Sequence, residues 1–260
     1  TFNGGANDLS IGAITTSDDV SVTGTGNVTV GSLSLYSNND AGGDGFKALI
    51  SGSNVTLGAA TGSITSANVV DYGVGATPGL VKIQATGNAT LGVDAMYNTA
   101  VAISAAGDVD ARSLGRLLLG TVAGANVTLV ANADVQASSI ATPGTYSVSG
   151  GDIGLGALTF ASGNPLDVVP LDAFVTDTQG DLALPGAFGA RRNLTITAAG
   201  NITGGQVDVG TGTLSITGTG IALGRASSSF GDVELNAGIG TVDIGTVYVA
   251  GDYRLSGGAL

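Results

Sequence analysis

The fold is decided by residues 193–255, which read NLTITAAGNITGGQVDVGTGTLSITGTGIALGRASSSFGDVELNAGIGTVDIGTVYVAGDYRL. One polar residue separates two apolar residues at regular intervals, and this alternation is typical of a β-strand with one buried and one solvated face. The pattern therefore predicts a short strand that returns about every 20 residues. The apolar pairs are spaced by 20, 19 and 20 residues and are Leu194/Ile196, Leu214/Ile216, Val233/Leu235 and Tyr253/Leu255.

A second set of short strands is predicted between the first. Glycine occupies 45 of the 260 positions and so interrupts the chain about every sixth residue. Each glycine costs roughly 1 kcal/mol relative to alanine inside a helix, which disfavours helices here. The sequence therefore predicts an all-β chain with at least two strands in each repeat and glycine-rich corners between them. The apolar pairs of this second set are Val207/Val209, Ile221/Leu223 and Val242/Ile244.

Repeats of this length favour a solenoid. One turn of about 20 residues buries its inward valine, leucine and isoleucine side chains only when the next turn stacks on it. The strands then pair in parallel at about 4.8 Å along the axis. We therefore predict a parallel β-helix with about 20 residues per turn, in which residues 1–260 form a single domain that is a segment of a longer chain. Unpaired strand edges are expected at both ends, for more chain or another copy to cap.

One short motif recurs along the chain and carries a family resemblance. It consists of a corner residue, Asn or Asp, and then apolar, polar and apolar residues, as in Gly26-Asn27-Val28-Thr29-Val30 and Arg192-Asn193-Leu194-Thr195-Ile196. With the period of 19–20 residues, this motif resembles the repeat region of filamentous haemagglutinin-type bacterial exoproteins. The resemblance implies a right-handed parallel β-helix that serves surface attachment, biofilm formation or contact-dependent toxin delivery. Asn side chains stacked at one corner are expected to form a ladder of hydrogen-bonded amides.

Composition excludes several classes of function. The chain has 8 Lys and Arg residues against 20 Asp and Glu residues, a formal net charge of −12. Such a surface repels phosphate backbones and anionic lipids, so we expect no nucleic-acid partner. Membrane insertion is not expected either, because no run approaches the roughly 18 apolar residues of a membrane helix. Cys and His are both absent, which excludes thiol nucleophiles, serine–histidine dyads and zinc sites built from these residues.

These observations favour a structural function over an enzymatic one. We expect a stalk or filament segment of a large bacterial cell-surface adhesin or exoprotein, located outside the cell. Its expected partners are the rest of the parent chain or other copies end to end, and a host surface, a neighbouring cell or a matrix. Two alternatives remain: a self-assembling extracellular sheath or matrix module, and a polysaccharide lyase or hydrolase. The enzyme would use carboxylates such as Asp108 and Asp110 with Arg112 or Arg116.

The best candidate for a binding segment is a loop excursion over residues 161–190. Three of the five prolines fall in it, and loops on rigid scaffolds often carry function. Two arginines follow where the loop rejoins the repeat, and we interpret them first as a solvated corner, with a salt bridge to the acids of the loop or to an acidic ligand as the alternative. The alternative for the loop itself is that it only covers an edge or contacts a neighbouring domain. The candidate residues are Asp167, Asp172, Phe174, Asp177, Asp181, Arg191 and Arg192.

A calcium site is the only cofactor that the sequence suggests. Gly42-Gly43-Asp44-Gly45 resembles one unit of the glycine-rich repeat that binds Ca²⁺ in secreted toxins. Asp44 is accordingly the candidate ligand, although such sites take ligands from successive units and this chain shows a single copy. No other cofactor is expected.

Overall fold

The computed structural model describes residues 1–16, 20–38, 47–65, 79–85, 89–92, 99–113, 117–155 and 170–258. All regular structure in these ranges is β-strand, and no helix occurs in them. The residues group into two compact units, Thr1–Ala125 and Asn126–Leu260. The organisation of residues 1–260 as a single domain stays a prediction.

The first unit contains two parallel sheets that the chain visits alternately. One sheet has the strand order β1-β3-β5-β7-β9-β11, and the other has the order β2-β4-β6-β8-β10. Each strand therefore pairs with the strand one turn before it and one turn after it, and not with its neighbour in sequence. The strands are β1 (Phe2–Asn3), β2 (Leu9–Thr16), β3 (Val20–Thr23), β4 (Val28–Asn38), β5 (Lys47–Gly52), β6 (Val55–Thr65), β7 (Gly79–Ala85), β8 (Ala89–Gly92), β9 (Thr99–Ala105), β10 (Val109–Ser113) and β11 (Leu117–Ala123).

The second unit is also built from parallel sheets that the chain visits in turn. One sheet runs in the order β12-β14-β16-β19-β21-β23-β25, a second contains β13 and β15, and a third runs β17-β20-β22-β24 with β18 also paired to β20. The strands are β12 (Val127–Ala131), β13 (Val135–Ala141), β14 (Thr145–Gly150), β15 (Ile153–Leu155), β16 (Asp172–Asp177), β17 (Leu182–Ala183), β18 (Ala187–Ala190), β19 (Asn193–Ala198), β20 (Asn201–Val209), β21 (Leu214–Thr217), β22 (Gly220–Ser228), β23 (Val233–Asn236), β24 (Val242–Val249) and β25 (Tyr253–Ser256).

Strand register confirms the predicted repeat. Leu194 lies opposite Leu214, which lies opposite Val233, which lies opposite Tyr253, and all of these pairings are parallel. Like residues therefore stack on like residues after each turn of roughly 20 residues. The prediction of an all-β parallel β-helix is confirmed, since both units are parallel β-solenoids.

The core lies between the sheets and is built from the inward residues of every strand. Leu194 and Ile196 are fully buried, whereas Thr195 between them faces outwards. Their neighbours one turn on, Leu214 and Ile216, are also fully buried. Each such side chain contributes roughly 1.5–3 kcal/mol when its apolar surface leaves water. Since a turn can bury these residues only against adjacent turns, stability comes from stacking.

The predicted loop excursion over residues 161–190 is wrong for its second half. Residues 172–177 form β16, which pairs with β14 on one side and β19 on the other. Ala173 and Val175 of this strand are buried like the inward residues of every other turn. Pro170 lies just before β16, where proline interrupts no ladder hydrogen bond. Residues 161–169 lie outside the described residues.

Candidate functional site

Aspartate and asparagine side chains connect successive turns at the corner before β2, β4 and β6. The backbone N–H of Asn27 donates to Asp8 Oδ1 at 2.8 Å, and Asn27 Nδ2 donates to Asp8 Oδ2 at 3.2 Å. One turn on, Asn54 Nδ2 donates to Asn27 Oδ1 at 2.8 Å. These bonds hold the pKa of Asp8 below its ordinary value, with the backbone bond from Asn27 as the main cause. The predicted ladder of stacked amides is confirmed at this corner.

The second unit uses the same connection at two corners. At one corner, the backbone N–H and Nδ2 of Asn193 donate to Asp172 Oδ1 at 3.2 and 3.0 Å. Asn193 Oδ1 then accepts the backbone N–H of Thr213 at 3.1 Å. At the other corner, Asp181 Oδ1 accepts the backbone N–H of Asn201 at 2.7 Å and its Nδ2 at 3.2 Å. Each acidic or amide side chain thus satisfies backbone donors of the following turn.

Two of the predicted site residues, Asp172 and Arg192, form a bidentate ion pair. Arg192 Nε donates to Asp172 Oδ1 at 2.9 Å, and a terminal guanidinium nitrogen donates to Oδ2. Asp172 is only 7% exposed, whereas about half of the Arg192 side chain is in solvent. The bond from Arg192 is the main cause that holds the pKa of Asp172 below its ordinary value, and the same pair raises the pKa of Arg192. Of the two arginines, Arg192 therefore forms the salt bridge that was the alternative to a solvated corner.

The carboxylate of Asp177 is buried and accepts hydrogen bonds from backbone N–H groups. Asp177 is 1% exposed, and its carboxylate accepts three backbone N–H groups, from Ile153 at 3.1 Å, Gln179 at 3.1 Å and Gly180 at 2.9 Å. Asp181 is exposed, but its Oδ1 is used by Asn201. These two predicted binding residues therefore act in the described residues as hydrogen-bond acceptors for corners of the solenoid.

The remaining predicted residues do not join this cluster. Phe174 is 41% exposed on the outer face of β16, opposite Ser147 and Thr195. Arg191 donates from a terminal nitrogen to the carbonyl of Pro143 at 2.7 Å. Asp167 and the calcium candidate Asp44 both lie outside the described residues. In the ranges that the structure describes, no three carboxylates are grouped so that they could hold a metal ion.

The alternative catalytic residues pair with each other on β10. Arg112 Nε donates to Asp110 Oδ1 at 2.8 Å, and Arg112 Nη2 donates to Asp110 Oδ2 at 3.2 Å. Arg112 is largely exposed and Asp110 is partly exposed, so this is a surface ion pair. Asp108 lies just before this strand and is exposed, and Arg116 lies outside the described residues. The enzyme alternative stays a prediction.

Sequence reasoning missed a polar network on the outer face of β20 and β22. Arg225 Nε donates to Asp208 Oδ1 at 2.9 Å, a terminal nitrogen of Arg225 donates to Oδ2, and Ser227 Oγ donates to Oδ1 at 2.6 Å. The hydrogen bonds to Asp208 raise the pKa of Arg225. Tyr248 lies opposite Ser227 on β24 and is 62% exposed. The signal was the spacing of Asp208 and Ser227 by one period, which places them side by side on neighbouring strands.

An open groove of about 360 Å³ crosses the outer faces of the last three strands of one sheet, β21, β23 and β25. Arg254 and Glu234 form part of its lining, and Arg254 Nη1 donates to Glu234 Oε1 at 2.5 Å. Arg254 Nη2 also donates to Asp252 Oδ2 at 3.3 Å. The hydrogen bond to Glu234 is the main cause that raises the pKa of Arg254. The charges of this groove are therefore paired within the protein.

The apolar interior is uncovered at β25. This strand is the last in its sheet, and among the described residues only β23 pairs with it. The inward side chains Tyr253 and Leu255 are 42% and 37% exposed, whereas Val233 and Leu235 opposite them are 0% and 2% exposed. Among the described residues, β25 is therefore an edge strand whose inward side chains are only partly covered.

The backbone of β25 also has hydrogen-bonding groups that face away from β23. Alternate residues of a central parallel strand bond to opposite neighbours. The carbonyls of Asp252 and Ser256 accept the N–H groups of Val233 and Ala237, at 3.0 and 2.9 Å. The backbone N–H and C=O groups of Arg254, which lies midway between these two residues, also face β23. The N–H and C=O groups of Tyr253 and Leu255 therefore point to the open edge.

A matching open edge occurs at β2 in the first unit. This strand pairs only with β4 among the described strands, and Leu9 N–H donates to the carbonyl of Asn27 at 2.8 Å. By the same alternation, the N–H and C=O groups of Ser10 and the C=O of Asp8 face the other side. Leu9 and Ile11 are only partly buried, whereas Val28 and Val30 opposite them are fully buried. This edge also lacks a covering turn in the described part of the chain.

No family model, curated protein or solved structure matches this chain. The described residues contain no helix that is long and apolar enough to cross a membrane. The family resemblance therefore rests on the repeat motif and its period.

Proposed function

We propose that the chain is a structural stalk or filament element of a bacterial cell-surface adhesin or exoprotein. The observation that carries this proposal is the stacking of like inward residues from turn to turn. Leu194, Leu214 and Val233 lie opposite one another on successive strands, and all three are fully buried. A fold that repeats the same inward residues in every turn gains its stability from stacking and suits an elongated scaffold.

The use of charge in the described residues supports the same function. The guanidinium groups of Arg192, Arg225 and Arg254 each pair with a carboxylate of the preceding turn. Asp8, Asp177 and Asp181 accept backbone N–H groups of other turns or corners. These groups stabilise stacking between turns, which a scaffold requires.

The proposed location at the cell surface is supported by the resemblance to filamentous haemagglutinin-type exoproteins and by the composition. Absence of Cys suits a chain that crosses a bacterial envelope unfolded, because no premature disulfide can form. A net charge of −12 also limits side-by-side aggregation of exposed sheet faces. The function proposed is therefore to support attachment, biofilm formation or presentation of a toxin at a distance from the cell.

Protease treatment of intact source cells tests this proposal. Peptides of residues 170–258 should appear in the supernatant when intact cells are treated, and a cytosolic marker enzyme should not. Deletion of the coding region should reduce attachment or biofilm mass, and re-expression should restore it. The proposal is overturned when the protein fractionates with the cytosol and is cleaved only after lysis.

A further inference from the structure

We infer that an outer sheet face of the second unit binds a neutral polysaccharide, which lies across successive strands. The inference rests on the proposed role in attachment and names the class of ligand. The face belongs to the sheet that contains β14, β16, β19, β21 and β23, and its outward residues form two columns. We call these ten residues the hydroxyl face: Ser147, Phe174, Thr195, Ser215 and Glu234 in one column, and Ser149, Thr176, Thr197, Thr217 and Asn236 in the other.

Strand register places hydroxyl groups at regular intervals across this face. Adjacent strands of a sheet lie about 4.8 Å apart, and alternate residues of one strand lie about 6.6 Å apart. Thr195 and Thr197 therefore stand beside Ser215 and Thr217 of the next turn, and all four are at least partly exposed. A hydroxyl group both donates and accepts hydrogen bonds, as the hydroxyl groups of a sugar do. An extended polysaccharide presents its own hydroxyl groups at comparable intervals along its length.

The charge of the hydroxyl face favours a neutral ligand. The whole chain carries a formal charge of −12, but the one acid of this face, Glu234, is paired with Arg254 Nη1 at 2.5 Å. Cations that an anionic polysaccharide would require are paired elsewhere, since Arg192 and Arg225 each bind a carboxylate of the preceding turn. Charge complementarity therefore favours a neutral polysaccharide over a sulfated or uronic one.

Phe174 is the residue of the hydroxyl face that the fold itself does not require. It is 41% exposed, and the residues opposite it on the adjacent strands are Ser147 and Thr195. Apolar surface left in water costs free energy, which a hydroxyl residue at this position would avoid. A pyranose ring presents C–H groups on its faces, and such a surface packs well against an aromatic ring. Phe174 therefore stacks against a sugar ring, and the flanking hydroxyl groups orient it.

The same two columns continue into the open groove of about 360 Å³ on β21, β23 and β25. Ser215, Thr217, Glu234 and Asn236 are among the residues that line it. Ligand sites are usually concave, with a few polar groups that converge on the ligand. The hydroxyl face thus combines an aromatic residue on β16 with a concave part on β21 and β23. A ligand that is several sugars long covers both parts, which favours a polysaccharide over a single sugar.

Affinity gel electrophoresis of the full chain tests the inference. Hydroxyethyl cellulose, mixed-linkage β-glucan, galactomannan and polygalacturonate are each cast in a native gel. At least one of the three neutral polysaccharides should retard the wild-type protein, and the anionic polygalacturonate should not. Phe174→Ser should weaken the binding by about tenfold, because a central aromatic residue usually carries much of the binding energy. Serine already occupies the opposite position in β14, at Ser147, so the strand should accept it.

Tyr248→Ser is the matched control. Tyr248 is also an exposed aromatic residue, at 62%, and also lies opposite a serine, Ser227, but its strand β24 belongs to another sheet. Its substitution should leave the retardation unchanged. Thr195→Val removes one hydroxyl group of the face at nearly constant size, and it replaces Phe174→Ser where circular dichroism shows that the latter does not fold.

Three results overturn the inference. The first is that no neutral polysaccharide retards the wild-type chain, or that polygalacturonate retards it more strongly. The second is that the folded hydroxyl-face variant binds as tightly as wild type, or that Tyr248→Ser weakens binding equally. The third is self-association of the wild-type chain in sedimentation velocity that Phe174→Ser abolishes, because a second copy would then cover this face.

Failure of this inference is distinguishable from failure of the proposed function. A chain that binds no polysaccharide but is cleaved on intact cells overturns the ligand and leaves the structural function in place. Cytosolic fractionation overturns the proposed function whether or not the purified chain binds a polysaccharide.

Discussion

Arg192 holds the carboxylate of Asp172 with two nitrogen atoms, although the two residues are 20 positions apart in the chain. They are neighbours in space because one turn of the solenoid separates them, and Asn193 also donates to the same carboxylate. A pair that looks distant in sequence is therefore a local contact along the stack. The ion pairs of Arg192, Arg225 and Arg254 each join two successive turns, so they stabilise the stacking of the turns.

The Asp172–Arg192 pair should make stability depend on pH. The folded-state pKa of Asp172 lies below its ordinary value, so the pair stabilises the protein above about pH 4 and loses this contribution as pH falls through the folded-state value. We expect Asp172→Asn to lower the melting temperature at pH 7 by roughly 2–4 °C, because it removes the charge that pairs with Arg192. The effect is small because half of the Arg192 side chain is in solvent, which screens the pair. Below pH 3 the difference between wild type and variant should shrink.

Thermal unfolding from pH 2.5 to 8 measures this difference, with Asp243→Asn as the control. Asp243 lies on β24 and is exposed, so its substitution should change the melting temperature little at any pH. A difference between wild type and Asp172→Asn that stays constant across this pH range would show that the carboxylate charge is not what stabilises the contact.

The strands and their register could be predicted from sequence because their signals repeat. Apolar alternation is a local pattern, and its return after about 20 residues fixes which strands pair. Leu194, Leu214 and Val233 therefore appear in the structure where the period places them.

The loop prediction over residues 161–190 failed where two signals conflicted. Prolines and aspartates favour loops, but Asp172 and Asp177 lie at the two ends of β16 and satisfy backbone donors there. Ala173 is a weak apolar signal, although it is fully buried in the structure. The Asp208–Arg225 pair was missed because 17 residues separate its members, and only the strand register shows that they are neighbours.

Asp177 should be important for stability and not for binding. It is 1% exposed and accepts three backbone N–H groups. Asp177→Ala leaves these donors without a partner in a buried position, where each costs about 1–3 kcal/mol. We expect the free energy of unfolding in urea to fall by about 3 kcal/mol in total. Asp181→Ala is the comparison, and it should lose less because Asp181 is exposed. Equal losses in the two variants would contradict a structural role specific to Asp177.

Tyr146 has a buried hydroxyl group that finds no hydrogen-bond partner among the described residues. Its side chain is 0% exposed, and burial raises the pKa of the phenol. Tyr146→Phe removes the unpaired hydroxyl and keeps the ring, so we expect the free energy of unfolding to rise by about 1 kcal/mol. Tyr253→Phe, at a 42% exposed position, should change it by less than about 0.5 kcal/mol. A loss of stability in Tyr146→Phe would show that the hydroxyl is hydrogen-bonded, for instance to a buried water.

Glycines stacked at one corner allow the backbone of successive turns to approach closely. A Cβ atom on Gly205 would lie 2.3 Å from the carbonyl oxygen of Gly186, one turn before it. This distance is shorter than any van der Waals contact of a Cβ atom. A Cβ atom on Gly186 would have no atom within 4 Å. The two glycines can therefore be compared directly, because they stack on each other but differ in the room available for a Cβ atom.

Gly205→Ala should consequently destabilise the second unit, and Gly186→Ala should not. The new methyl group at position 205 forces the turns apart, and overpacking of this kind costs about 1–3 kcal/mol. At position 186 the methyl group enters open space, and the lost flexibility of the unfolded chain makes the change neutral or stabilising by up to about 1 kcal/mol. Urea unfolding of both variants measures the difference. Equal stability of the two variants would mean that a Cβ atom at position 205 has more room than its distance of 2.3 Å from the carbonyl oxygen of Gly186 implies. The glycines would then be required for the bend of the chain and not for close stacking of the turns.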